Sequence, residues 1–438
     1  MLSLIDWRGQ ALSPEWLRLN VPRVPVDSAS ADTAVQAIID AVRERGMAAL
    51  IEQAEQFDQC RIDELRTPAE NLQAARESLH PELAASISLA IERVRQATRA
   101  QVPPQQDTVV APGATITQRW QPVDRAGVYI PGGKAVYPSS VVMNVVAAQV
   151  AGVTDIVLAS PPQKEFGGEI HPTILAAAHM LGVSEVYRMG GAGAIAALAY
   201  GVSEIGLEPV SVISGPGNIF VATAKRLVKG VVGIDSEAGP TEIVVIADGT
   251  VDADVVASDL VSQAEHDELA QAILVTTEEA YAQEVIAKTE QRAQSTRHRE
   301  RVNAALRGPQ SGVILVDSLK DAVAVSDALA PEHLEICTRN PRQLADSIRH
   351  AGAIFLGAFT PVSAGDYLAG SNHVLPTGGQ ARFQSGLSAM TFLRPQQLVD
   401  YSREALQEVA SDIVRFAEAE DLPAHGEAVT ARFETGES

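Results

Sequence analysis

The chain has 438 residues, more than one hydrophobic core usually organises, so two or more packed units are expected. Its 34 Lys and Arg stand against 55 Asp and Glu, a formal net charge of −21 at pH 7. Such a surface repels phosphate backbones and anionic lipid, which argues against nucleic acid and membrane as partners. The opening MLSLIDWRGQ is interrupted by Asp6 and Arg8, and no stretch approaches the about 18 uninterrupted apolar residues of a membrane span, so the expectation is a soluble, cytoplasmic protein. Cys60 and Cys337 lie far apart and form no C-x-x-C pair, which argues against a disulfide framework and a cysteine-based zinc site. A metal here would rely mainly on His, Asp or Glu.

Residues 1–30 contain Pro14, Pro22 and Pro25 with little periodicity and read as an arm rather than a core element. Val35, Ile38, Ile39 and Val42 then follow helical spacing, and Leu83, Ile87, Ile91 and Val94 repeat it after Pro81 at a helix start. Residues 108–123 read as strand and turn, and Gly127-Val128-Tyr129-Ile130 runs into Pro131-Gly132-Gly133. Next comes a regular alternation: strands at 155–159, 185–189 and 210–214, helices at 140–151, 172–181, 194–200 and 219–228. This is the βαβ order of a parallel sheet.

Three of these strands end in glycine turns, at 131–133, 190–193 and 215–218. Glycines between a strand's carboxyl end and a helix N-terminus let backbone N–H groups approach a phosphate, which makes a nucleotide site one reading. Ordinary β-to-α turns favour glycine as well. Gly191 to Ala196 fits G-x-G-x-x-A, but no acidic residue closes the following strand, and no cofactor assignment rests on it.

A second alternating block has strands near 243–247, 272–276, 313–317, 334–338 and 352–357. The pattern restarts after Gly239-Pro240, so two α/β lobes are expected, with a site at their interface. The expected division is an arm at 1–27, a discontinuous catalytic lobe at 28–127 and 240–388, an inserted lobe at 128–239, and a helical C-terminal extension at 389–438. From Ala358 to Ser388 periodicity is lost, and a loop of that length in a compact enzyme is usually functional.

Among nine histidines, His80, His171, His179, His298 and His350 sit at helix starts, in helices or in a charged run, and read as structural or surface residues. The other four stand near acidic or amide groups. Gln263 and His266 are three apart on a helix expected over 252–268 and so share a face. Asp366 and His373 lie in the long loop, Glu420 and His425 close the C-terminal helix, and Glu332 adjoins His333 after Pro331. An adjacent Glu-His pair is a candidate acid/base pair, but such pairs often arise by chance, and on its own this one reads as a solvated helix end before a catalytic site. Two imidazoles and a carboxylate can form an open zinc site, although glutamine is an uncommon ligand and the spacing matches no compact metal motif. Cys337, between Ile336 and Thr338 in a β-run, reads as a small buried strand residue rather than a catalytic thiolate.

Longer motifs bear on these readings. They include Val128-Tyr129-Ile130-Pro131-Gly132-Gly133, Tyr137-Pro138-Ser139-Ser140, Gly215-Pro216-Gly217-Asn218 and Ser262-Gln263-Ala264-Glu265-His266. Further along come Pro331-Glu332-His333-Leu334-Glu335, Gly365-Asp366-Tyr367, Gly370-Ser371-Asn372-His373-Val374-Leu375-Pro376-Thr377 and Glu420-Asp421-Leu422-Pro423-Ala424-His425. With these motifs the sequence resembles the histidinol dehydrogenases over nearly its whole length.

That resemblance implies an α/β fold of two incomplete, doubly wound Rossmann-like lobes with small N- and C-terminal extensions. It implies one zinc ion per subunit on Gln263, His266, Asp366 and His425, the last from the other subunit of a homodimer that shares its active sites. Thr241, His373 and Glu420 match substrate-contacting positions, as do His333 and the zinc set. Tyr129, Gly193 and Asn218 match positions contacting NAD, and Glu332 and His333 match the catalytic pair. Gly193 stands where the family's pattern usually has glutamine, which removes one possible hydrogen bond to the cofactor; Thr241 replaces a common serine and keeps the hydroxyl.

The implied reaction oxidises L-histidinol through the aldehyde to L-histidine with two NAD and one water. His333 would be general base and Glu332 would activate water for the aldehyde step. Three rivals remain: a zinc- and NAD-linked dehydrogenase of another small polar alcohol, a zinc hydrolase using Glu332, and a catalytically silent scaffold.

Overall fold

The computed structural model describes residues 2–24, 28–132, 136–237 and 239–434, with only the helical backbone described at 28–30. Expectations at Pro25 and Gly133, and those for the outermost ends of the terminal segments, lie outside the described residues. The chain divides into two compact units, Met1–Gln101 with Val123–Phe392, and Val102–Pro122 with Leu393–Ser438.

In chain order the strands are β1 (Ser3–Asp6), β2 (Gln106–Ala111), β3 (Ala114–Pro122), β4 (Arg125–Tyr129), β5 (Asp155–Ser160), β6 (Glu185–Arg188) and β7 (Val212–Ser214). They continue with β8 (Gly233–Ile234), β9 (Glu242–Ala247), β10 (Gln271–Thr276), β11 (Gly312–Leu315), β12 (His333–Cys337), β13 (Ala353–Leu356) and β14 (Leu393–Tyr401). The first unit holds two all-parallel sheets, one ordered β1-β11-β10-β9-β12-β13 and the other β6-β5-β4-β7-β8. In each, the chain winds outward from a central strand (β9 or β4), returns, and winds out on the other side, which is the doubly wound, Rossmann-like order.

The reason lies in the strands themselves. β9 (EIVVIA) and β10 (QAILVT) are buried at every position, as sheets covered by helices on both faces require. Ile243, Val245, Leu274, Val313 and Leu315 point to one face, against the helices Ala253–Ala264, Glu279–Ser295 and Arg299–Arg307. Their neighbours Val244, Ile246, Ile273, Val275 and Ile314 point to the other, with Leu17, Ala322, Val325 and Leu329. The period of two thus divides one apolar run between two cores. Around the smaller sheet, Tyr129, Val157, Ala159 and Tyr187 pack with residues of the helices Ser28–Arg45, Met47–Phe57, Gly191–Tyr200 and Ile219–Val228.

Four local expectations change. Residues 1–30 contribute a core element: β1 pairs in parallel with β11, and Leu2, Trp7 and Leu17 are buried. Three prolines mask a strand only four residues long. Residues 393–401, expected as helix, form β14, which pairs antiparallel with β3 in the three-stranded sheet β14-β3-β2 of the second unit. Pro395 obstructs a helix there, and an edge strand tolerates its missing N–H. The helix expected over 252–268 ends at Ala264, before His266. The irregular stretch 358–388 contains the short helix Val362–Tyr367, which carries Asp366.

That stretch is fastened to the segments around the smaller sheet. Asn372 Nδ2 donates to the Met143 carbonyl at 3.0 Å, Gln380 Nε2 to that of Glu237 at 2.7 Å, and Gln384 Nε2 to that of Asp235 at 2.6 Å. Among the described residues, no helix is long and apolar enough to cross a membrane.

Candidate active site

The helix Leu319–Leu329 stops at Ala330, a non-glycine residue held at φ +49°, and Pro331 follows at once. A left-handed alanine costs roughly 1–2 kcal/mol, so the surroundings must enforce this turn. They do so through main-chain bonds from Gly352 N–H to the Pro331 carbonyl and from Ala353 N–H to that of Glu332, both 2.9 Å. At Gly352 a Cβ would lie 2.6 Å from the Glu332 carbonyl oxygen, so only glycine allows the approach. Glu332 and His333 therefore enter β12 in a fixed conformation, and both are buried.

His333 Nδ1 lies 3.0 Å from the Glu242 carbonyl oxygen. A carbonyl only accepts, so Nδ1 carries the proton and Nε2 keeps its lone pair. Nε2 is buried and has no hydrogen-bond partner. Burial holds the imidazole below its ordinary pKa, opposed by the Asp366 charge and the Glu242 bond. Glu332 is the mirror case: burial pushes its carboxyl up to about 7 against two hydrogen bonds, from Thr241 Oγ1 at 2.5 Å and Glu242 N–H at 3.0 Å. The Thr241 oxygen also accepts from Gln263 Nε2 at 2.6 Å. Gln263, Thr241 and Glu332 thus form one relay, which leaves Gln263 Oε1 as an acceptor.

His266 sits just beyond the helix Ala253–Ala264, its N–H 3.3 Å from the Gln263 carbonyl. It lines a cavity of about 550 Å³ together with Tyr137, Glu265, Arg301, Asp366 and Tyr367. Burial lowers the His266 pKa, with His333 adding to the effect, and burial pushes Asp366 up to about 6. Among the described residues, neither the His266 ring nor the Asp366 carboxylate has a hydrogen-bond partner. His373 differs: its Nδ1 lies 2.9 Å from the Asp366 carbonyl and its Nε2 3.0 Å from Ser140 Oγ, so both ring nitrogens are engaged. Burial holds it neutral, with a pKa pushed down to about 4.

The structure brings Thr241, Gln263, His266, Glu332, His333, Asp366 and His373 together at the amino ends of β9 and β12 and in the segments beside them. This edge is unusual, because open α/β sheets mostly bind ligands beyond strand carboxyl ends. Glu420 and His425 belong to the second unit, both exposed, Glu420 ending the helix Arg403–Ala419 and His425 early in Pro423–Glu434. Among the described residues, no group of three or more His, Cys, Asp and Glu is placed to hold a metal ion.

The nucleotide candidates lie at the carboxyl edge of the smaller sheet. The Tyr129 hydroxyl accepts from Gly191 N–H at 3.1 Å, and burial pushes its pKa up to about 12. Gly193 lies within the helix Gly191–Tyr200; a Cβ there would fall 1.9 Å from Gln53 Oε1, so the Gln53 amide holds the space a side chain would enter. Asn218 caps the helix Ile219–Val228, accepting from Phe220 N–H at 3.0 Å and Val221 N–H at 3.2 Å. Its turn is fixed by a buried ion pair of Lys225 and Asp235, with Lys225 Nζ donating to the Gly215 carbonyl at 3.0 Å and Asp235 accepting from Gly215 N–H at 2.8 Å.

Sequence reasoning gave no individual role to Glu242, Asp259 or Glu335. The available signal was an acidic residue inside an otherwise apolar run: Glu242 opens EIVVIA and Glu335 interrupts HLEIC. Cys337 is buried in the core, and burial pushes its thiol pKa up strongly, as befits a packing residue.

The sequence profile of the histidinol dehydrogenases matches residues 21–433. The histidinol dehydrogenase of Leifsonia xyli subsp. xyli is 59% identical over 433 residues, 99% of each chain. That of Thermobifida fusca is 54% identical over 432 residues, 99% of this chain and 98% of the relative. The crystal structure of histidinol dehydrogenase from Elizabethkingia anophelis superposes with a TM-score of 0.93 at 32% identity, covering 99% of this chain and 98% of that one. By sequence over nearly its full length, and by fold, the chain belongs to the histidinol dehydrogenase family.

Proposed function

We propose that this protein oxidises L-histidinol through L-histidinal to L-histidine, using two NAD and one water, as a zinc-dependent cytoplasmic homodimer with shared active sites. The observation that carries the proposal is the buried, unpartnered Nε2 of His333, whose lone pair is fixed by the Nδ1 bond to the Glu242 carbonyl. A neutral imidazole with a free, desolvated lone pair is a general base poised for an alcohol proton. Glu332, buried beside it with a carboxyl titrating near 7, is suited to deprotonate the water that adds to the aldehyde. Thr241 orients Glu332, and Gln263 orients Thr241.

The donor set fits zinc. His266 and Asp366 face one cavity without protein partners, and Gln263 Oε1 is left to accept. Only two of these three are strong ligands, which supports a further donor, His425 of a second subunit. Zinc would supply a template for the substrate's amine and imidazole, which Glu420 and His373 would help to bind. NAD would supply the hydride acceptor, with Tyr129, the Gly193 helix and Asn218 at the carboxyl edge of the smaller sheet, where nucleotides bind in such folds. The lobe at 28–127 and 240–388 would then do the chemistry and 128–239 would hold the nucleotide.

The test is NADH absorbance with L-histidinol. Two NADH per histidinol are expected, with loss on chelation and recovery with added zinc; no absorbance change in the zinc-loaded protein would overturn the reading.

A further inference from the structure

Glu335 is an acid within the buried strand β12, and only 2% of it is exposed. It shares a strand face with His333 and Cys337, because alternate residues point the same way. Its Oε1 accepts from Val362 N–H at 2.9 Å, at the start of the helix Val362–Tyr367. Its Oε2 is buried and, with the group ionised, has no hydrogen-bond partner. The partner of the carboxyl group is that of Asp259, on the helix Ala253–Ala264. Two carboxylates cannot both remain ionised in a buried contact, so one proton must lie between them. Burial pushes both carboxyl groups up, Glu335 the more so because the Asp259 charge adds to the effect, so the pair holds a proton between them at neutral pH.

The sequence spacing around this pair is what gives it meaning. Asp259 stands one helical turn before Gln263, Val362 one turn before Asp366, and Glu335 two residues beyond His333 on the same face. A single protonated carboxyl group therefore touches both helices that deliver Gln263 and Asp366, while riding on the strand that delivers His333. An acid that merely filled space would not need both contacts, and a buried Leu would cost less.

We propose that Asp259 and Glu335 are positioning residues: their shared hydrogen bond and the bond to Val362 lock three elements together and set the spacing of the ligands Gln263 and Asp366 beside His333. This rests on the reading of Gln263 and Asp366 as zinc ligands. The experiment measures zinc dissociation from the full-length protein by competition with a chromophoric chelator, with circular dichroism to confirm folding and kcat and KM for L-histidinol beside it.

Glu335→Leu removes both contacts. Val362→Pro removes the N–H, at a first helical position that accepts proline, and also trims a buried side chain, for which Val362→Ala, which keeps the N–H, is the control; it decides the matter if Glu335→Leu does not fold. Glu335→Leu and Val362→Pro are expected to weaken zinc binding about ten- to a hundredfold with native dichroism, whereas Glu335→Gln and Asp259→Asn, which can remake the hydrogen bonds, stay within about threefold of wild type. Wild-type zinc affinity in folded Glu335→Leu or Val362→Pro would overturn the proposal, as would an equal loss in Glu335→Gln. Failure of the wild-type protein to bind zinc would instead remove the reading of Gln263 and Asp366 as ligands, and this inference with it.

Discussion

The His333 ring and the main-chain carbonyl of Glu242 lie 3.0 Å apart across the paired strands β12 and β9, while the same Glu242 offers its N–H to Glu332 at 3.0 Å. One peptide-bearing residue thus sets the tautomer of the imidazole with its acceptor and orients the neighbouring carboxylate with its donor. Substitution of side chains cannot easily dislodge either contact, so the chemistry of the pair should respond to changes in Glu332, His333 and Thr241 themselves.

On the proposed route through the aldehyde, the two oxidations should separate in their pH dependence. His333 is depressed below its ordinary value, so its base form persists to acid pH, and the alcohol step should lose activity only below the usual histidine range. Glu332 stays protonated until the pH nears 7, so hydration of the aldehyde should gain activity through that region. Glu332→Gln should remove this second limb and slow histidinal turnover about 10²- to 10⁴-fold, while single-turnover oxidation of histidinol changes less than about tenfold. Equal losses in both steps would assign Glu332 another role.

Thr241→Val deletes the hydroxyl between Gln263 and Glu332 without changing the side chain's shape much. A hydrogen bond to a charged group is worth about 1.5–3 kcal/mol, so kcat for the aldehyde step should fall about 10- to 100-fold. The carboxyl pKa should also rise, because the lost bond favours the ionised form. Thr241→Ser should restore both, as read from stopped-flow pH profiles.

Cys337→Ala should keep substantial activity. The thiol is buried in the core and its pKa is raised, so it supplies neither a thiolate nor a metal ligand at neutral pH. A modest loss of stability from the smaller side chain is expected in urea titration; complete inactivation of the folded protein would sink the scheme based on His333.

Glu335 makes stability depend on pH. Burial and the Asp259 charge raise its folded-state pKa well above the ordinary 4.5, so above that value the folded protein binds more protons than the unfolded chain. The contribution is fully present at low pH and is lost as the pH rises, by up to about 1.4 kcal/mol per pH unit. Glu335→Gln should match the wild type near pH 5 and surpass it at pH 8 in denaturant midpoint. Parallel curves would show that Glu335 is ionised in the folded state.

Much of the fold was legible because burial leaves its period in the sequence. The runs IVVIA and AILVT are continuous apolar strands of a covered parallel sheet, and the alternation of strands and helices marked two α/β lobes, whose doubly wound order was implied by the family resemblance. Short or proline-bearing elements escaped: β1 has four residues and depends on β11, and β14 shows its strand character only through pairing with β3. The helix end before His266 was missed because the apolar spacing carries no record of where the last hydrogen bond falls.

The candidate site divides in the same way. Residue types and motif order, read from the sequence alone, nominated Glu332, His333, Gln263, His266, Asp366 and His373, because acid/base and ligand chemistry belongs to side chains wherever they stand. Only the tertiary structure decided which nitrogen of His333 is free, that both nitrogens of His373 are engaged, and that Thr241 couples Gln263 to Glu332. Those properties arise from hydrogen bonds between groups 7 to 233 residues apart in the chain and from removal of water around them. The sequence thus determines the chemical vocabulary and the periodic folding pattern, whereas tautomers, shifted pKa values and the meeting of buried Glu335 with half-buried Asp259 exist only once the strands and helices have packed.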